Sequence, residues 1–437
     1  MRRAFFALLT VLALVAPPAQ ASVIGDISVV TRIEATGLTE IAALGDRVYV
    51  GELNGTTGRN QTNGKGGVHI LDTSGAKPVE IDFLACDGSD SDVVVVREGL
   101  LAVAHHRSSC TSGFVAGSIT AQNNGIYLVD VSDEELGPQV LGSVRVPSAH
   151  TLTPMPGTNY IYVHPGGLAV GGGVTSIVDV ANPAKPKVVG SFTPSAAGCH
   201  DLQFLKTATR SLAFCASGAA GEVQTWDVAN PIAPVVIGRF VNPAIQFPHN
   251  AVPSPDGKYL VVNDEAFGVH ECASGNGVLG ALWVYDISVP EVPVPVSRIA
   301  PPVSPNPVNA AYGTDRWCTA HNYEFLAGTR YLVASWFTGG TTVEDLSDPF
   351  LPDRVSHYQP ADADTYSARW HDGLVYTADM RRGIEVLAVT GIGGNSAPPP
   401  VVDRPRRDRT AQLLPAGWVA PVRVPHRALR TTGVCVL

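Results

Sequence analysis

SIVDVANP at residues 176–183 is one of seven copies of a short apolar strand that ends near an aspartate and often continues to a proline. The other copies are GVHILD at 67–72, GIYLVD at 125–130, QTWDVANP at 224–231, WVYDISVP at 283–290, TVEDLSDP at 342–349 and GIEVLAV at 383–389. Successive copies lie 43 to 59 residues apart. A repeat of this length is typical of one four-stranded propeller blade with loops of variable length.

Most copies are followed by a second short strand, as in PKVVGSFTP at 186–194 and PVVIGRFVNP at 234–243. Pro and Asn between the two strands favour a turn. Hairpins with alternating apolar residues come next, such as NAVPSPDGKYLVVND at 250–264. No segment after residue 21 shows a convincing apolar period of 3.6 residues, so the sequence predicts an all-β fold, a seven-bladed β-propeller.

The seventh copy lacks a second strand, because the chain after Val389 runs into Gly, Ser and Pro. At the other end, ISVVTRIEATG at 27–37 looks like such a second strand, but no copy of the repeat precedes it. We therefore predict that the N-terminal strand completes the last blade and closes the ring. Closure of this kind removes free sheet edges.

The two ends of the chain differ in composition from the repeats. Residues 1–21 have two arginines, an apolar run and a final Ala-Gln-Ala, and this pattern predicts a signal peptide. Residues 22–394 are predicted to form the propeller, and the Pro- and Arg-rich residues 395–437 a disordered tail. No stretch is long and apolar enough for a transmembrane segment. We expect a monomer that is secreted, periplasmic or held at the cell surface.

The charge of the chain limits its partners. The net charge is −9, although the first 21 residues carry +2 and residues from 395 onward carry +5, so the predicted propeller itself carries −16. Nucleic acid and anionic membrane are therefore not expected as partners, whereas cations are permitted. The Gly- and Asn-rich loops at 53–66 and 266–280 predict a face that binds an unknown protein or small-molecule ligand.

Seven cysteines in an exported chain indicate disulfides and one cysteine left over. Three pairs are predicted from positions in the repeat, and Cys435 is predicted to stay unpaired. The pairs are Cys199 with Cys215, Cys86 with Cys110, and Cys272 with Cys318.

The recurring strand–Asp–Val/Ile–x–x–Pro pattern, as in SIVDVANP at 176–183, resembles the LVIVD-repeat proteins, and the resemblance spans residues 27 to 389. It implies a β-propeller in an exported or cell-surface bacterial or archaeal protein, and it implies fold and location more than a particular activity. The aspartates are expected to cap turns between strands. Ala388 replaces the aspartate in the last copy.

A column of histidines is the strongest chemical signal. One histidine occurs at the start of the first strand in each of four consecutive blades, at His150, His200, His249 and His321. Asp92 occurs near this position in the second blade, and Tyr366 or Ser367 in the seventh. The first strand of a propeller blade lines the central channel, so these side chains are expected to converge there.

Two interpretations of the column follow from the residues. Four imidazoles around one channel would suit a transition metal such as Fe, Cu or Zn, with nearby carboxylates fixing their tautomers. Alternatively, the histidines belong to the repeat itself and bond the backbone of a neighbouring blade. The nearby carboxylates are Asp201, Asp264, Glu265, Glu52 and Asp379.

The sequence contains no P-loop, GxSxG, HExxH or CxxC motif. The first functional hypothesis is therefore a secreted binding or interaction module with a metal site at the four histidines. The alternative is a metal-dependent Fe or Cu oxidoreductase with its active site in the channel, in which Glu265 is a candidate catalytic residue. A third hypothesis is a structural envelope protein held by its tail.

Overall fold

A computed structural model describes residues 26–57, 60–87, 92–105, 109–110, 125–146, 149–165, 173–194, 198–266, 279–302, 318–390 and 419–423. The predicted signal peptide, Cys272 and Cys435 lie outside these ranges. The described residues form seven antiparallel sheets arranged as a β-propeller, which confirms the predicted fold. Among them, no helix is long and apolar enough to cross a membrane.

The first three blades follow in chain order after the N-terminal strand β1 (Ile27–Ile33). Blade 1 contains β2 (Leu38–Leu44), β3 (Arg47–Thr57), β4 (Asn60–Asp72) and β5 (Val79–Asp87). Blade 2 contains β6 (Val93–Arg97), β7 (Leu100–His105), β9 (Gly125–Asp130) and β10 (Gln139–Arg145), and its short β8 (Ser109–Cys110) pairs back onto β5. Blade 3 contains β11 (Thr151–Pro154), β12 (Tyr160–His164), β13 (Thr175–Asp179) and β14 (Lys187–Phe192).

The remaining blades repeat this order. Blade 4 contains β15 (Asp201–Lys206), β16 (Ser211–Ala216), β17 (Glu222–Asp227) and β18 (Val235–Val241), and a short 3₁₀ helix (Gly218–Ala220) lies between its second and third strands. Blade 5 contains β19 (Pro248–Pro253), β20 (Tyr259–Asp264), β21 (Leu282–Asp286) and β22 (Val294–Ile299). Blade 6 contains β23 (Tyr323–Phe325), β24 (Tyr331–Ser335), β25 (Thr341–Asp345) and β26 (Asp353–Tyr358).

Blade 7 is built from both ends of the propeller. Its first three strands are β27 (Thr365–His371), β28 (Leu374–Asp379) and β29 (Gly383–Val389). Its outer strand is β1, which pairs antiparallel with β29 so that Ile27 lies opposite Val389 and Ile33 opposite Ile384. The predicted closure by the N-terminal strand is confirmed.

The aspartates of the repeat cap turns, as expected. In each of six blades the aspartate at the end of the third strand accepts a hydrogen bond from the backbone amide two residues later, at 2.7–2.9 Å. Such a turn directs the chain into the outer strand. The six residues are Asp72, Asp130, Asp179, Asp227, Asp286 and Asp345.

A glycine in the outer strand allows neighbouring blades to approach closely. A Cβ at Gly142 would lie 2.5 Å from the carbonyl oxygen of Pro183 in the next blade, and a Cβ at Gly238 would lie 2.5 Å from that of Glu291. Both glycines also lie at bulges in the strand pairing. The glycine of the repeat is therefore required for packing between blades.

Apolar side chains fill the space between blades. One buried cluster joins blades 1 and 2 through Tyr49, Leu84 and Tyr127, and the cluster between blades 5 and 6 includes Leu282 and Trp336. Each blade thus covers the apolar face of its neighbour, so no single blade buries its core alone.

The predicted Cys199–Cys215 disulfide is confirmed, and it joins the entry of β15 to β16. The backbones of Cys86 and Cys110 lie directly opposite one another, which accords with their predicted pairing. Cys318 is buried, and its pairing with Cys272 stays a prediction.

The structure places one further strand within the predicted tail. β30 (Val419–Arg423) pairs antiparallel with the outer strand β18 of blade 4. The sequence analysis did not anticipate this strand, because five residues without a copy of the repeat provide no periodic signal.

Deletion of residues 26–33 should strongly destabilise the protein, because it removes the outer strand of blade 7 and exposes the β29 edge. We expect the melting temperature to fall by roughly 10 °C or more, as followed by circular dichroism. Deletion of residues 419–423 is the matched control, since it removes an outer strand that does not close the ring. Equal melting temperatures for the two deletions would contradict the closing role of β1.

Candidate functional site

The four predicted histidines lie where the repeat predicts, at the entry to the innermost strand of blades 3 to 6. His200, His249 and His321 are buried, with 2–4% of their surface exposed, and His150 is partly buried. Tyr366 takes the corresponding position in blade 7. In blade 2, Asp92 lies one residue further along, level with Asp201 in blade 4.

The histidine rings form a continuous row around one side of the channel. Ring centroids are 4.9 Å apart between His150 and His200, 4.3 Å between His200 and His249, and 4.1 Å between His249 and His321. The Tyr366 ring lies 4.0 Å from that of His321. We call His150, His200, His249 and His321 the histidine row.

Glu265 lies against one end of this row. Its carboxylate oxygens are 3.9 Å from His249 Nε2 and 4.0 Å from His321 Nε2. Ligand atoms of these three buried residues all lie within 4.8 Å of one another. Two atoms that each lie about 2.1 Å from one ion stand roughly 3–4 Å apart, so the separations of 3.9 and 4.0 Å between Glu265 and the two rings could be bridged by one ion.

The neighbouring Asp264 holds Glu265 in place. Its Oδ1 accepts hydrogen bonds from the amides of Gln246, Phe247 and Ala266, and its Oδ2 accepts one from Gly280. The backbone carbonyl of Glu265 also accepts a hydrogen bond from the Thr319 hydroxyl. These bonds fix the backbone around Glu265 on both sides.

Backbone contacts also orient His321. Its Nδ1 lies 2.8 Å from the carbonyl oxygen of Tyr366. Since a carbonyl can only accept, Nδ1 donates the proton, so a neutral ring would carry its lone pair on Nε2, the side facing Glu265. Asn263 donates to the carbonyls of Ala320 and His321 and so fixes the backbone that carries the ring.

This contact has features of both interpretations of the histidine column. The bond from Nδ1 to the next blade is what a purely architectural role requires. The same bond is also the usual support for a histidine that ligates through Nε2. The carboxylate of Glu265 beside two imidazoles is the feature that the architectural role leaves unexplained.

Burial keeps His200 in its neutral form. Loss of solvent lowers the pKa of His200 well below its ordinary value, and the neighbouring His150 and His321 lower this pKa further. A neutral imidazole is the form that binds metal ions.

A second layer of the channel is acidic. It encloses a cavity of about 140 Å³ beside the row. Burial, and then the charge of Glu40, raises the pKa of Asp201 to about 7. Burial also raises the pKa values of Glu40, Asp92 and Glu324. The guanidinium of Arg369 lies 3.1 Å from Glu324, and its positive charge opposes the rise in the pKa of Glu324. Sequence reasoning identified Asp92 and Asp201 but missed Glu40 and Glu324. Glu40 lies level with Asp201 in blade 1 but follows Thr39 rather than a histidine, so the histidine column did not point to it.

Two of the predicted supporting carboxylates have other roles. Glu52 bonds His69 rather than the histidine row, with Oε2 2.9 Å from His69 Nε2. Asp379 accepts hydrogen bonds from the amides of Asp364, Arg381 and Arg382 and so caps a turn. Glu52 lies within β3 and Asp379 ends β28, at corresponding positions of two second strands, where an acid can cap the backbone as easily as face the channel.

A second cluster of ionisable residues, in blade 1, was not predicted from the sequence. His69 lies between Glu52 and Glu80, with Nδ1 2.8 Å from Glu80 Oε1. Burial alone would lower the pKa of His69, but the two carboxylates outweigh burial and raise this pKa above its ordinary value of 6.5. This raised pKa favours the protonated ring.

Comparison with known proteins shows the fold and no family. The chain matches no protein-family model and no curated protein. A protein from Lactobacillus plantarum superposes with a TM-score of 0.54 at 12% identity, over 76% of this chain and 88% of the other.

Two further solved structures are similar. A putative 6-phosphogluconolactonase from Bacteroides fragilis has a TM-score of 0.50 and 11% identity, over 71% of this chain and 80% of the other. Saccharomyces cerevisiae Sqt1 has a TM-score of 0.50 and 9% identity, over 83% of this chain and 88% of the other. At these identities the similarity shows a shared propeller fold and nothing about activity.

Substitution of Asp201 by Asn should stabilise the protein at pH 8 and have little effect at pH 4. An acid whose pKa in the folded protein is raised from 3.8 to about 7 makes the protein less stable as the pH rises through that range. Asn is present at the corresponding positions Asn250 and Asn322, so the repeat accommodates it. Melting temperatures of wild type and D201N across this range provide the test. A stabilisation equal at pH 4 and pH 8 would contradict the raised pKa.

Substitution of His69 by Gln should destabilise the protein more at pH 6 than at pH 9. A histidine with a raised folded pKa stabilises fully below its unfolded pKa, and this contribution disappears as the pH rises through the folded pKa. The measurement is the difference in melting temperature between wild type and H69Q at each pH. A difference that grows toward pH 9 would contradict the ion-pair assignment.

Proposed function

We propose that this protein is an exported β-propeller that binds a transition metal in its channel and acts as a binding or interaction module. The observation that supports the metal is the buried group of His249, Glu265 and His321. The Cys199–Cys215 disulfide accords with an oxidising compartment. Membership of the LVIVD-repeat proteins and the predicted signal peptide support export and remain part of the proposal.

The proposed centre has His249, Glu265 and His321 as its ligands. The other two members of the histidine row, His200 and His150, follow next to it without being ligands. Two imidazoles and a carboxylate suit Fe, Zn or Cu. In this arrangement Glu265 binds the metal and does not act as a general base. Its proposed role therefore differs from that of the catalytic residue suggested by the sequence.

The alternative function is a metal-dependent oxidoreductase with its active site in the channel. The observation that favours it is the ligand set, because two histidines and one carboxylate leave coordination positions open for substrate or oxygen. The adjoining cavity would admit a small polar molecule beside the carboxyls of Asp201 and Glu40.

Metal content measured by mass spectrometry on the purified protein tests the proposal. We expect bound transition metal in the wild type, and the loss of about one equivalent in the H249A/H321A variant and in the E265Q variant. H371N is the matched control, because His371 lies at the end of β27 beside Thr73 and outside the row.

Unchanged metal content in both channel variants would overturn the proposed centre. So would a wild type that retains none after incubation with Fe²⁺, Cu²⁺ or Zn²⁺. The same samples separate the two functions in part, since a bound metal that is only Zn²⁺ would contradict the oxidoreductase.

A further inference from the structure

His164 is a buried imidazole with one unsatisfied nitrogen. It ends β12 in blade 3 and has no exposed surface. Its Nδ1 lies 3.1 Å from the hydroxyl of Thr175, whereas Nε2 has no hydrogen-bond partner within the described part of the chain. A buried polar atom without a partner is costly, so such an atom points to an additional group beside it.

Comparison between blades shows that the propeller itself does not need an imidazole at this position. The corresponding residues at the ends of the second strands are smaller, and the two polar ones bond the inner strand. Asn263 accepts from the amide of Asn250, and Ser335 accepts from the amide of Asn322. The His164 side chain instead contacts the hydroxyl of Thr175 on the third strand. The corresponding residues in blades 4 to 7 are Ala216, Asn263, Ser335 and Ala378.

His164 lies beside His150, at the end of the histidine row that is farther from Glu265. The amide of His150 donates to the carbonyl of His164 at 2.9 Å, so the two residues are backbone neighbours. The His150 ring in turn lies 4.9 Å from that of His200. Burial, and then the charge of His150, lowers the pKa of His164 to about 3, and His164 is among the groups that lower the pKa of His200.

We propose that His150, His164 and His200 form a second transition-metal site, selective for ions that accept imidazole ligands, such as Zn²⁺ or Cu²⁺. Three histidines leave a fourth position open for water or a small ligand. The contact between His164 Nδ1 and Thr175 is the kind of support that orients a ligating ring. The site extends the proposed function but shares no ligand with the centre at His249, Glu265 and His321.

Binding at the second site requires rotation of the imidazoles. Among the described residues, the group around Glu265 is the one whose ligand atoms lie within 4.8 Å of one another. The side-chain torsion that turns a histidine ring has a broad distribution. We expect the rings of His150 and His200 to turn toward the ion while the contact with Thr175 holds His164.

Titration of the purified, metal-free protein with Co²⁺ and with Zn²⁺ tests the second site. Co²⁺ reports each occupied site through its visible absorption, and dialysis with mass spectrometry counts the ions. We expect two equivalents in the wild type and one in H164N, with affinity at the lost site reduced by roughly 100-fold or more. The variant places in blade 3 the residue that blade 5 carries at Asn263, so the fold should be retained.

Three further variants make the outcome decisive. H150T removes a second ligand and introduces the residue type of Thr39, which lies at the start of the inner strand of blade 1, and it should match H164N. E265Q should lose the other equivalent, and H371N should lose neither. Circular dichroism of each variant verifies the fold.

The results separate the two sites. Two equivalents in both H164N and H150T would overturn the second site, as would a wild type whose bound metal is lost entirely in E265Q. Loss of one equivalent in H164N and H150T but none in E265Q would support the second site and overturn the first. Loss of a single bound ion in each of H164N, H150T and E265Q would indicate one shared centre and overturn the second site as a separate one.

Discussion

Closure of the ring by β1 is the constraint on which the rest of the structure depends. Pairing of Ile27–Ile33 with Gly383–Val389 gives blade 7 its fourth strand and brings blade 7 against blade 1. Only a closed ring places the entries of all inner strands around one channel. The histidine row exists because residues 49 to 72 positions apart in sequence then become neighbours at 4.1–4.9 Å between ring centroids.

The chemistry of the channel follows from this crowding. Imidazoles and carboxyls that would titrate normally in water lie in two adjoining layers with little solvent. Burial favours the uncharged form of each group, so it lowers the pKa of His200 and raises that of Asp201. An ion bound by neutral imidazoles would be the largest local charge in such a channel.

Repetition explains which features could be predicted from the sequence. The blades, the closing strand, the capping aspartates and the positions of the four histidines all recur, so each copy supports the others. The Cys199–Cys215 bond also followed from the hairpin register. Features that occur once were harder to find. The partners of His69 and the tail strand at Val419–Arg423 depend on contacts between segments that share no pattern.

The candidate site shows the same division. Glu265 was identified because it follows Asp264 at the end of a second strand, but its position between two imidazoles depends on the four amides that Asp264 holds. Glu52 lies level with Asp264 in the register of the second strand, and it bonds His69 instead. An acid at this position does not show its role from sequence alone, since the difference lies in which residue the neighbouring strand presents.

The circular arrangement also has a consequence for the timing of folding. Because the first strand completes the last blade, the N-terminal segment has no permanent place until residue 389 has been synthesised. Long-range pairing of this kind is slow compared with the formation of local hairpins. The ring can therefore close only after all seven blades have been synthesised, however early the first hairpins form.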